Sequence, residues 1–211
     1  MDKKLLMTAS AVAAVLVLTA CSEAPTPAEE AKPAVEAKKE PPKAPEPVAA
    51  QTAFWEMYKP ARAWATDLQP LSVASGEAAS MKNADGKAAT WTAVFVSPSR
   101  REARTFFYSV VDDGANIHKG VSAGGAMTWS GATPQSKPFN TQDFATNSDA
   151  AYKAAYAKAE EWVKKNPDKK ASLALAASSK FDSPVWLVLW GNSKSGYAVY
   201  VNATTGLVVT K

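Results

Sequence analysis

Two spacings of apolar residues divide the chain beyond residue 50 into helices and strands. In TAFWEMYKPARAWATDL (52–68), Phe54, Met57 or Tyr58, Ala61, Trp64 and Leu68 fall three or four apart, the period of one helix face. Pro60 lies inside that run and has no N–H to donate, so the pattern predicts a helix that is kinked there or begins near Lys59. In SDAAYKAAYAKAEEWVKKN (148–166) the period is carried by Tyr152, Tyr156, Ala159 and Val163. Ser148 or Asp149 can cap its start, Lys164 and Lys165 suit its carboxyl end, and Pro167 stops it. TWTAVFV (90–96), TFFYSVV (105–111), PVWLVLW (184–190) and YAVYVNA (197–203) read as strands, the last two joined by a GNSKSG hairpin turn. PLSVAS (70–75) and ASLALAA (171–177) read as a first strand after each helix, and LVVT as a closing edge strand.

The order of helix then strands thus occurs twice, with Trp91 and Trp186 in matching places and Asp112-Asp113-Gly114 where the second copy has Asn202 to Gly206. The expected fold class is α+β: two tandem repeats, each a helix on a small antiparallel sheet, over 51–122 and 148–211, with a loop over 123–147. An α+β chain without duplication offers the same order, so both origins stay open.

Before residue 51 both spacings vanish. Lys3 and Lys4 precede the apolar run Leu5–Ala20, which is shorter than the ~20 residues of a membrane-spanning helix. That layout predicts a secretory signal peptide, 1–20, that is removed, the alternative being a signal anchor left uncut. Leu18-Thr19-Ala20-Cys21 resembles a bacterial lipobox. The resemblance implies lipid on Cys21, cleavage before it, and a membrane anchor through the N-terminal lipid, since each buried acyl methylene contributes about 0.8 kcal/mol. Ser22, rather than Asp, follows the cysteine, which by the same resemblance favours the periplasmic side of the outer membrane over the inner membrane. Because Cys21 is the only cysteine, no thiol is left for a disulfide, a metal or a nucleophile.

Residues 22–50 hold seven of the fourteen prolines and no aromatic residue, a composition that cannot bury enough apolar area to order itself. With the lipidated Cys21 they are expected to form a disordered tether over 21–50, reaching at most about 90 Å at ~3.1 Å per residue. All seven tryptophans and all six tyrosines lie beyond it. The formal charge is +4, and the excess of basic residues beyond residue 50 is mild and scattered, unlike a nucleic-acid surface.

The run YAVYVNATTGLVV, following a Trp-led strand and a helix, resembles the closing signature of the PepSY domain family. Tyr197, Val199, Tyr200, Val201, Ala203 and Gly206 match; Asn202 stands where Asp is commoner. The resemblance implies a non-catalytic envelope module that binds or restrains a partner, and it supplies no catalytic residue.

The chemical inventory agrees. His118 is the only histidine, with no second His, free Cys or carboxylate at ligand spacing, so no metal or cofactor is expected. No Gly-x-Ser-x-Gly elbow and no phosphate loop occurs. Asp112-Asp113-Gly114 reads as a turn, since adjacent strand residues point to opposite faces. Two features suit binding. Arg100, Arg101 and Arg104 in SPSRREAR lie near a hairpin tip and can grip an acidic partner or lipid phosphates by paired hydrogen bonds, or form a charged turn that discourages edge pairing. The glycine-rich segment 120–144 carries Trp129, Phe139 and Phe144, either packed between the repeats or poised to bind.

These readings converge on a lipid-anchored periplasmic module that binds another envelope protein without catalysis; nothing in the pattern sets its oligomeric state. Two alternatives remain: an envelope hydrolase in which Asp112, Asp113, Asp143 or Glu160 converge in a cleft, and a binder of a small apolar or aromatic ligand through Trp129, Trp186 or Trp190.

Overall fold

The computed structural model describes residues 44–209; the expected signal peptide, Cys21 and the expected tether up to residue 43 lie outside the described residues. Its elements are α1 (Ala50–Trp64), β1 (Gln69–Gly76), β2 (Thr90–Ser97), β3 (Glu102–Ser109) and β4 (Gly120–Thr128), then a 3-10 turn (Thr141–Asp143), α2 (Ser148–Lys165), β5 (Ala171–Ala176), β6 (Val185–Trp190), β7 (Tyr197–Asn202) and β8 (Val208–Val209). The class is α+β.

All eight strands form one antiparallel sheet, in the order β4-β3-β2-β1-β5-β6-β7-β8. The sequence pattern predicts a separate small sheet under each helix. Instead the two groups of strands join along β1 and β5, where Ser72, Val73 and Ala74 face Ala176, Leu175 and Ala174. Val73 and Leu175 are fully buried, and pairing removes two edges that would otherwise expose their backbone beside an apolar core.

Three other expectations change. β4 occupies residues 120–128, inside and just before the stretch expected to be loop. GVSAGGAMT carries three glycines and no alternation, so its strand state comes from hydrogen bonding to β3 and not from its own propensity. Val48 and Ala49, assigned to the tether, belong to the fold: Val48 bridges Ala88 through two backbone hydrogen bonds, and Ala49 is buried. α1 runs through Pro60 without starting afresh near Lys59. Pro60 is exposed, and burial of Phe54, Met57 and Ala61 on the opposite side holds the helix together across the lost hydrogen bond.

Both helices lie on the same side of the sheet. Residues paired across the strands share a face, so Val73, Ala93 and Phe106 form one row, and Val73, Leu175, Trp186 and Val201 another. These alternate positions are buried with Ala53, Phe54 and Met57 of α1 and Ala151, Ala155 and Ala159 of α2. α2 therefore buries a stripe of alanines four residues apart, which admits its backbone close to the sheet, while Tyr152 and Tyr156 are only half-buried on its flank.

Trp91 and Trp186 stand side by side at the centre, fully buried, ring centroids 6.4 Å apart and nearly perpendicular. Trp91 Nε1 donates to the carbonyl of Val48, two residues ahead of α1, at 3.0 Å. Trp186 Nε1 donates to Thr146, two residues ahead of α2, at 2.9 Å.

The two helix starts are also tied to each other. Asn147, not Ser148 or Asp149, is the N-cap of α2: its Oδ1 accepts from Ser148 N at 2.9 Å and from Gln51 N of α1 at 3.0 Å. The buried Ser148 hydroxyl caps the other helix, accepting from Ala50 N at 2.8 Å.

Trp186→Ala is expected to cost about 3–5 kcal/mol of unfolding free energy in urea titration, and Ser148→Ala about 1 kcal/mol through loss of the α1 cap. Trp55→Ala on the exposed side of α1 should stay within about 0.5 kcal/mol of wild type.

Candidate functional site

With both helices on one side, the other side of the sheet carries no helix and is open except at its β7 end, where Phe181 and Lys180 lie over Tyr200. The outward residues are Thr90, Thr92 and Val94 on β2, Thr105 and Phe107 on β3, Ser172 and Ala174 on β5, Leu187 and Leu189 on β6, and Ala198 and Tyr200 on β7. Across the eight described strands not one outward position holds Asp, Glu, Lys or Arg. A solvated antiparallel face is ordinarily polar and charged. This one is small, hydroxylated and aliphatic, with Phe107 43% exposed. At ~4.8 Å between strands and ~3.3 Å per residue, eight strands of about six residues span roughly 35 by 20 Å. That is about 700 Å2, close to the ~800 Å2 that each partner contributes to a stable complex.

The β2–β3 hairpin end is organised by a residue that the sequence pattern did not single out. Asp67, in the turn after α1, accepts from the Ser97 hydroxyl at 2.6 Å and from Ser99 N at 2.8 Å. Those two bonds, the hydroxyl first, hold its carboxyl down at about 2. The available signal was only an Asp in an Ala-Thr-Asp turn, and its partners lie 30 and 32 residues away.

The three arginines do not converge. Arg100 donates to the carbonyl of Trp64 from its guanidinium, lies 5.9 Å from the centre of that indole, and approaches Glu102 at 3.5 Å. Arg104 projects to the helix side, donates from Nε to Gly124 O at 2.8 Å, and sits over Phe106. Arg101 is exposed at the tip with a left-handed φ of 54°. Its carbonyl accepts from Trp129 N at 2.9 Å, which places the half-buried Trp129 beside the hairpin tip. Phe139 and Phe144, from the same segment, are core residues.

The residues of the two alternatives are also dispersed. Asp112 Oδ1 accepts from Lys119 N at 2.9 Å, and Asp113 Oδ2 from Ala79 N and from Ser80 N. Asp143 closes the 3-10 turn onto Asn140, and Glu160 pairs with Lys164 on α2 at 2.8 Å. None of these four lines either of the two clefts described here, and among the described residues no three of His, Cys, Asp and Glu are grouped to hold a metal. Trp186 and Trp190 are core residues, and neither cleft is lined by them or by Trp129.

One cleft, of about 460 Å3, lies at the β6–β7–β8 end between Lys180, Phe181, Asp182 and Asn202. The other, about 270 Å3, lies on the open face over β2, β3 and β4 and is walled by Asn116, Ile117 and His118. The lone histidine is thus an exposed loop residue at the rim of a cleft. At the far end, the turn after β7 closes as its residues suggest: Asn202 Oδ1 accepts from Thr204 N and Thr205 N at 2.9 and 3.0 Å, and Gly206 adopts φ 74°.

No family model matches the chain, and no curated protein matches it. Among solved structures it is similar to the crystal structure of a "putative lipoprotein" from Clostridium difficile 630, at 9% identity and a TM-score of 0.43, over 79% of this chain and 91% of that one. No described helix is long and apolar enough to cross a membrane.

Asp67 gives a pH prediction. Its folded carboxyl is held below the ordinary 3.8, so its contribution to stability is complete above about pH 4 and is lost as pH falls from there through about 2. Asp67→Asn should flatten the acid limb of the unfolding curve between pH 4 and 2, followed by tryptophan fluorescence, and leave the slope above pH 5 unchanged.

Proposed function

We propose that this chain is a lipid-anchored protein of the bacterial envelope, on the periplasmic side and at the outer membrane, whose folded part binds another envelope protein without catalysing a reaction. The observation that carries the reading is the uncharged open face: an area the size of a stable interface, lacking the charges that ordinarily keep such a surface in water. Lys3 and Lys4, the apolar run and the Leu-Thr-Ala-Cys sequence support the anchor at Cys21, and the proline-rich stretch supports presentation of the folded part away from the bilayer.

A duplicated, PepSY-like unit accounts for how such a face arises. Supporting it are the repeated order of one helix and four strands, and the meeting of the two sets at β1 and β5. So do the matched tryptophans, each bonded two residues ahead of its own half's helix. Neither half alone spans the full sheet; together they build a continuous surface.

A photoreactive amino acid at Leu187 or Thr92 should cross-link one envelope protein in living cells, and the same probe at Lys158 on α2 should not. Leu187→Asp, a charge at the centre of the face, should reduce the yield from the Thr92 probe at least tenfold. Equal cross-linking from α2, or none from the open face, sinks the docking surface. Cys21→Ala should abolish palmitate incorporation and release the protein from membranes; labelling that persists rules out the anchor.

A further inference from the structure

The smaller cleft differs in chemistry from the rest of the open face. Its floor is the 43%-exposed ring of Phe107, and its volume is about 270 Å3. Thr90, Asn116, His118 and Ser122 ring the floor, and among the described residues their side chains make no hydrogen bond within the protein. No charged residue lines it.

The wall is held in place rather than loose. Asp113 N donates to Ile117 O at 2.9 Å, closing the loop upon itself. Asp112 Oδ1 accepts from Lys119 N at 2.9 Å, and Asp113 Oδ2 reaches the backbone N–H groups of Ala79 and Ser80, tying the loop to the segment after β1. Thr90 needs Gly76 across the pair: a Cβ there would stand 2.4 Å from Thr90 Oγ1. The hydroxyls of Ser109 and Thr92, also in the lining, are turned to backbone carbonyls, so the groups left for a ligand are the four around the ring.

We propose that this cleft binds a neutral sugar ring. An exposed aromatic face receives a flat array of C–H bonds, and hydroxyl, amide and imidazole groups can each donate to or accept from the hydroxyls at the rim of such a ring. A carboxylated or phosphorylated ligand would find no cation, and an ammonium ligand no carboxylate. A purely apolar ligand would strip water from four polar groups and replace none of their hydrogen bonds. The size suits one ring of a longer glycan, with its neighbours leaving along the open face.

The cleft lies on the same face as the docking surface and shares Thr92 with it, but its test is separate, because its ligand is small and its readout needs no partner. The full chain in detergent is titrated by calorimetry with N-acetylglucosamine, glucose, linear β-1,4-linked oligomers of N-acetylglucosamine, glucuronate and indole. The expected result is a dissociation constant of about 1 mM for a neutral sugar or its oligomers. Phe107→Ala should weaken it at least tenfold, Asn116→Ala about threefold or more, and Phe107→Trp should retain it. Phe107 is exposed on a paired strand, so its truncation leaves the core intact; an unchanged thermal midpoint verifies this. No binding of any neutral sugar up to 50 mM overturns the proposal. So does binding of glucuronate or indole in preference to the neutral sugars, or binding that is indifferent to Phe107→Ala.

Discussion

The fold depends on two indoles that share one hydrophobic centre and each hold a backbone carbonyl. Trp91 and Trp186 are fully buried and meet edge to face, and a buried indole N–H without a partner costs free energy comparable to a lost hydrogen bond. Val48 and Thr146 supply the partners, each in the segment that leads into a helix. The tryptophans therefore fix where both helices begin, and the crossed caps from Asn147 and Ser148 then lock the two starts together. A substitution at the centre propagates to both helices at once.

That arrangement has a consequence on the far side. Holding both helices on one face with a single core leaves no helix on the other, which is covered where Lys180 and Phe181 lie over Tyr200 and where the 116–118 loop stands beside Phe107, and fusing β1 to β5 makes that face twice as wide as either half could present. Its residues alternate with core positions, so they are small or aliphatic without contributing to the core: Ala74 and Thr92 lie back to back with Val73 and Trp91. In a protein that carries 21% charged residues, none of the outward strand positions holds one, and that is the observation on which the proposed contact surface rests.

Much of the strand and helix content was legible because the apolar spacing is strong where both sides of an element are constrained. β2, β6 and β7 match the alternating or continuous runs that predicted them, and α2 lies within a residue of its expected span. β4 was not legible, since three glycines and small residues leave no period and only hydrogen bonding to β3 makes it a strand. The N-terminal limit of the fold was misplaced because Val48 and Ala49 sit in a proline-rich composition, and only their contacts with Ala88 and Trp91 assign them to the core. The arginine cluster was read from proximity in sequence, yet Arg100 sits in the turn and bonds to Trp64 at the end of α1, while Arg104 is on β3 and bonds across to Gly124 of β4.

What the sequence alone determined is composition and period: a signal-like start ending at Cys21, a proline-rich stretch that cannot form a core, and an α+β order of elements repeated twice. These are local properties, written in neighbouring residues. Only the tertiary structure decided that the strands form one sheet, that both helices share a side, and that Phe107, Asn116 and His118 meet across a cleft while the candidate carboxylates do not. The physical reason is that strand pairing and burial are satisfied between residues tens to a hundred positions apart, where spacing along the chain carries no information.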